Sequence, residues 1–214
     1  APTQVGERLL ARDVIDLILA TTSSGRIPLW SASEVGQREV VERLLARDDI
    51  DVNKAKTDYG STPLCMASQN GHTEVVEALL RIGCDPNAPG PDGWTALMHA
   101  AMFGRGGVAG ALLEHGGAEL DAVSNHAMTA LMLAAYNGRA AVAAQLVEAG
   151  ADATLRAAGG SYEGKTALEI AGTKGHAEVA ALLSDMSVTE YISALPHEDK
   201  GKHLAPAARN RYFS

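Results

Sequence analysis

The feature that most constrains this chain is a short box that recurs five times. It reads Ile27-Pro28-Leu29, Thr62-Pro63-Leu64, Thr95-Ala96-Leu97, Thr129-Ala130-Leu131 and Thr166-Ala167-Leu168. The successive spacings are 35, 33, 34 and 37 residues. Periods of this size belong to arrays in which each unit buries its apolar face only against its neighbours. Each box has the form of a helix start, because a threonine hydroxyl can cap free amides and proline suits the first helical position. A second apolar stripe follows every box. It runs Val40, Val41, Leu44, Leu45; Val75, Val76, Leu79, Leu80; Val108, Ala109, Leu112, Leu113; Val142, Ala143, Leu146, Val147; and Val179, Ala180, Leu183. That i, i+1, i+4, i+5 pattern is an amphipathic helix. Neither helix of a unit is long enough to be stable alone, so stacking is required.

The clearest copy is 61–87, STPLCMASQNGHTEVVEALLRIGCDPN. Its TPL box, Gly71-His72 turn, Val75-Val76…Leu79-Leu80 helix and Gly83-Cys84-Asp85-Pro86-Asn87 exit resemble the ankyrin repeat. Gly175-His176 and Gly150-Ala151-Asp152 carry the same marks, and the resemblance covers residues 25–186. Thr-Ala-Leu-Met at 95–98 and 129–132 resembles a variant of protist ankyrin families. The resemblance implies an all-α solenoid of antiparallel helix pairs with β-hairpin-like finger loops. It also implies a non-catalytic module that binds another protein through its concave face. The expected divisions are an N-terminal capping half-repeat at 1–24 and repeats at 25–57, 58–90, 91–124 and 125–161. A C-terminal capping repeat at 162–186 and a tail at 187–214 complete them. The half-repeat rests on Glu7–Asp13 matching Glu42–Asp48 at an offset of 35. Ser187-Val188-Thr189-Glu190 has the form of a capping box and predicts a separate short helix ending before Pro196.

Charge and composition narrow the function. The formal net charge of −8 argues against nucleic acid, whose binding needs Lys and Arg on phosphates. No apolar run is long enough to span a membrane. The two cysteines, Cys65 and Cys84, sit within repeat units, which points to a reducing compartment and a cytoplasmic location rather than a disulfide or metal site. A monomer is expected. The tail from 187 carries a net charge of +1, leaving −9 on the body.

Several stretches imitate catalytic motifs. Gly159–Thr166, GGSYEGKT, satisfies the pattern of a phosphate-binding loop and supports a nucleotide-binding protein as one alternative reading, a structural spacer in a longer repeat protein being the other. The preceding ADATLRAA lacks the apolar run of a buried strand, and the repeat already explains Gly164 and Thr166. Gly104-Arg105-Gly106-Gly107-Val108-Ala109 fits a loose dinucleotide fingerprint but lies between two helices. The seven histidines show no ligand spacing with Cys or with one another, so no metal and no cofactor is expected. Family resemblance assigns His72 and His176 to hydrogen bonds between neighbouring turns. It also offers Asn53 and Asn87 as hydroxylation sites, against which stands their use as loop asparagines.

The residues outside the repeating frame are the candidates for recognition. Outside the tail, every aromatic but Trp30 falls at or beside finger tips and first-helix ends, and aromatics are enriched at interface hot spots. The expected protein-binding residues are Tyr59, Trp94, Met102, Phe103, His126, Met128 and Tyr136, with acidic residues such as Glu34, Asp58 and Asp92 around them. Two readings compete: Met102 and Phe103 packing between adjacent first helices, and folding-back of the tail, with Tyr212 and Phe213, over this face. Gly106, Gly107 and Gly110 predict a weak helix, and the 37-residue interval predicts a longer finger at Ala157–Tyr162.

Overall fold

The computed structural model describes residues 28–48, 50–53 and 60–194, the last nine as backbone only. Tyr59, Asp58, the expected half-repeat at 1–24 and the tail beyond Ala194 lie outside the described residues. The helices are α1 (Pro28–Val35), α2 (Arg38–Leu45), α3 (Pro63–Asn70), α4 (Thr73–Arg81), α5 (Ala96–Phe103), α6 (Gly106–His115), α7 (Ala130–Tyr136), α8 (Ala140–Glu148), α9 (Ala167–Lys174) and α10 (Ala177–Ala194). Each odd-numbered helix pairs with the even-numbered helix that follows it. Odd helices also stack on odd and even on even, giving two layers that run the length of the array.

The helix starts follow from the boxes. Thr62, Thr95, Thr129 and Thr166 each accept a backbone N–H three residues on, at 3.2–3.3 Å. Such a cap is worth about 1 kcal/mol. At Thr166 the Glu169 carboxylate reciprocates to the Thr166 N–H (2.8 Å), and this bond lowers the Glu169 pKa. The left-handed Gly71 (φ 85°), Gly104 (φ 69°) and Gly175 (φ 77°) stop the first helices. First helices approach closely because their contact faces are small: Ala67, Ala100, Ala101, Ala134, Ala135 and Ala171 are fully buried. Second helices supply bulk through Val41, Leu44, Val76, Leu79, Leu112, Leu146 and Leu183. Burying each such leucine contributes about 2 kcal/mol.

Two local expectations change. The fingers close as hairpins, with Gly90 N–H on Trp94 O (2.8 Å) and Ala157 N–H on Lys165 O (3.0 Å), yet no strand forms among the described residues. Instead Pro91–Gly93 and Gly160–Tyr162 are single 3₁₀ turns. The helix expected to begin at Ser187 does not begin there: α10 is continuous over 18 residues from Ala177. No glycine or proline interrupts 177–194, so the Ser187 box has no helix end to cap.

Candidate functional site

The repeats are registered by two ladders of polar contacts, which fix where the variable side chains point. In the turns, His72 Nε2 and Glu34 O are 3.0 Å apart, and His176 Nε2 and Tyr136 O are likewise 3.0 Å apart. Arginine takes the same place in the middle of the array. Arg105 Nε donates to Gln69 O (2.9 Å) and Arg139 Nε to Met102 O (3.3 Å). These side chains lie on the preceding turn glycine. A Cβ on Gly104 would come within 2.7 Å of Arg139 Cδ, and one on Gly138 within 2.6 Å of His176 Nδ1. In the exit loops, Asn53, Asn87 and Asp121 each accept a backbone N–H of the next repeat through Oδ1, from Asp85 (3.4 Å), Glu119 (2.8 Å) and Asp152 (3.0 Å). Asn87 also donates to Gly117 O (2.7 Å), so its amide is spent on structure.

Within this register, one open cavity of about 380 Å³ forms where fingers meet first-helix ends. Trp94, His126 and Met128 come from two adjacent fingers, and Met102, Leu133 and Tyr136 from α5 and α7. The far wall is Gly159, Gly160, Ser161 and Tyr162, from the lengthened finger of the last repeat. Tyr136 and Tyr162 meet edge to face at 5.4 Å between ring centres, an attractive aromatic geometry. Met128 is nearly buried at 7 % exposure and forms floor rather than rim. Asn137 contacts the Met102 sulfur and donates to Leu133 O (2.9 Å), fixing α7 beside it.

The finger backbones are held in place around the cavity. Asn125 N–H donates to Asp92 O across adjacent fingers (2.7 Å), and Ser124 N–H to Met128 O (3.1 Å). Asp92 (φ 60°) and Ala127 (φ 59°) adopt left-handed backbone, which is costly for the alanine. Behind Trp94 lies His99, at 5.3 Å between ring centres. The Trp94 Nε1 and both His99 ring nitrogens are buried without a protein partner. Burial holds the His99 pKa down at about 4, so its imidazole is neutral at physiological pH.

Five of the expected residues, Trp94, Met102, His126, Met128 and Tyr136, therefore line one cavity. Phe103 does not line it, although it is 38 % exposed. Met102 and Phe103 are consecutive on a helix and point about 100° apart, so both cannot face one groove. The expected acidic surround also changes. Asp92 stands on the rim 4.0 Å from His126, but the tyrosine side carries lysines: Lys174 Nζ over Tyr136 (4.2 Å) and Lys165 Nζ over Tyr162 (5.8 Å). Tyr162 was absent from the expected set; its signal was an aromatic inside the one repeat with extra residues.

A family model described as ankyrin repeats in three copies matches residues 5–90, 83–157 and 121–192. The chain belongs to the ankyrin-repeat family. No curated protein sequence matches it. Ankyrin repeats are generally protein–protein interaction modules. Within the ankyrin fold, Gly159–Thr166 is a finger leading into α9. Lys165 Nζ donates to Thr173 Oγ1 (2.9 Å), the Thr166 hydroxyl caps α9, and no strand precedes the loop among the described residues. Cys65 and Cys84 are free and buried, and burial raises both thiol pKa values, that of Cys84 to about 11. The described residues hold no group of three potential metal ligands and no helix able to cross a membrane.

Proposed function

We propose that this ankyrin array is a non-catalytic, monomeric module that holds a protein partner in the cavity between Trp94, Tyr136 and Tyr162. The observation that carries the reading is the separation of residue types. Leu, Val and Ala fill most of the repeating frame, while Trp94, Tyr136, Tyr162, Met102 and Met128 converge on one open apolar cavity. Concave, apolar sites with a few polar groups at the edge are the general form of a binding site. The walls are set by hydrogen-bonded fingers and helix ends, so little ordering accompanies binding.

The test is affinity capture with the full chain, comparing wild type, Trp94→Ala, Tyr136→Ala and Val35→Ala, with circular dichroism as the folding control. Hot-spot truncations cost about 2 kcal/mol or more, roughly a thirtyfold loss of affinity. Both cavity variants are expected to lose the same captured protein. Val35→Ala, 62 % exposed in the first described repeat, is expected to retain it. Retention by folded Trp94→Ala and Tyr136→Ala would overturn the proposal.

A further inference from the structure

We infer that the cavity selects a peptide segment with one bulky apolar side chain flanked by carboxylates, and that Lys165 and Lys174 read those carboxylates. The inference rests on the binding role proposed above and adds the chemistry of the partner. The apolar part follows from the walls: Trp94, Tyr136 and Tyr162 with Met102 and Leu133 leave a space of about 380 Å³, the size for one large side chain and its neighbours.

The charge follows from two lysines beside the tyrosine wall. Lys174 and Lys165 lie over the two tyrosine rings, at 4.2 and 5.8 Å. Cation–π contact holds an ammonium beside the tyrosine wall without neutralising it. Neither lysine has a carboxylate within salt-bridge distance among the described residues. The nearby Glu169 is already engaged by Arg156 (3.1 Å) and the Thr166 N–H (2.8 Å). Across the cavity Asp92 faces His126 at 4.0 Å. The aromatic walls would suit a cation, but two ammonium groups already lie over the tyrosine rings, so a basic ligand meets like charge. The same repulsion disfavours the chain's own Arg209–Phe213, with Arg209 and Arg211 beside Tyr212 and Phe213.

The chemistry can be read with a displayed library of random twelve-residue peptides selected on the full-length chain. Three forms are compared: wild type, Trp94→Ala, and the double reversal Lys165→Glu/Lys174→Glu. Wild type is expected to enrich peptides with an aromatic or large aliphatic residue flanked by Asp or Glu. The double reversal should lower their affinity about tenfold, the size expected for two exposed ion pairs, and select Lys or Arg flanks instead. Lys165→Gln/Lys174→Gln, which cannot repel, should give an intermediate loss, with circular dichroism showing the helical fold retained. If peptides depend on Trp94 but carry neutral or basic flanks, the charge inference fails and the binding role stands. If the flanks do not change on charge reversal, the inference fails likewise. If no enriched peptide depends on Trp94, both fail.

Discussion

His99 shows how one side chain ties the cavity wall to solution conditions. Its ring nitrogens are buried without a protein partner and its ring packs at a tilt against Trp94. The folded-state pKa is about 4, below the ordinary 6.5, so the unfolded chain takes up the proton first as pH falls. Stability from this group is complete above pH 6.5 and declines between pH 6.5 and 4. Below 4 the loss from this group levels off. The full difference is on the order of 3 kcal/mol, at about 1.4 kcal/mol per pH unit. Urea unfolding at pH 7.5, 5.5 and 4 measures it. His99→Phe, which removes the titrating group but keeps a ring beside Trp94, is expected to flatten the decline between 6.5 and 4. An unchanged slope in that variant would assign the acid sensitivity elsewhere.

At the scale of the element, α6 is the helix whose sequence argues most against it. Its first turns contain Gly106, Gly107 and Gly110, each costing roughly 1 kcal/mol relative to alanine, yet it runs unbroken to His115. Tertiary packing overrides propensity: Val108, Ala109 and Leu112 are buried between α4 and α8. The glycines also differ in their surroundings. A Cβ on Gly106 would meet Gln145 Oε1 at 3.9 Å, and one on Gly110 would meet Gln145 Nε2 at 3.7 Å, both ordinary contacts. On Gly107 it would lie 2.8 Å from Thr73 Oγ1, so Thr73 must move. Gly106→Ala and Gly110→Ala should therefore each stabilise the chain by about 1 kcal/mol, and Gly107→Ala by clearly less. Urea midpoints of the three single variants decide it. Equal gains at all three would show that Thr73 imposes no restraint on α6.

For the whole molecule, what could be read from sequence divides along the repeat. The two-layer stack was legible because every unit needs the same small first-helix face and the same Val/Leu stripe, and these recur in register. The cavity was legible only in part, since it is formed between units rather than within one. Position marked Trp94, His126 and Tyr136 as variable. It could not show that α5 turns Met102 inward and Phe103 away, or that the long last finger brings Tyr162 back over α7. Arg105 and Arg139 were hidden for another reason: the bond to the preceding repeat is kept while the residue type changes from the histidine of the outer turns. This substitution gives a direct test of how the array coheres. In a solenoid each repeat is held only by its neighbours, so one interface bond contributes to the stability of everything beyond it. Arg139→Ala removes the bond to Met102 O and the cover over Gly104, and should cost about 1 kcal/mol. Its effect should be unequal along the chain. Hydrogen exchange is expected to quicken most in α7–α10, on the C-terminal side of the weakened interface, and least in α1–α4. Arg139→His should recover most of the loss, because His72 and His176 reach the same carbonyl position from the same turn site. If Arg139→His is as destabilised as Arg139→Ala, the arginine acts by some contact other than the turn ladder, and the two residue types are not equivalent in this fold.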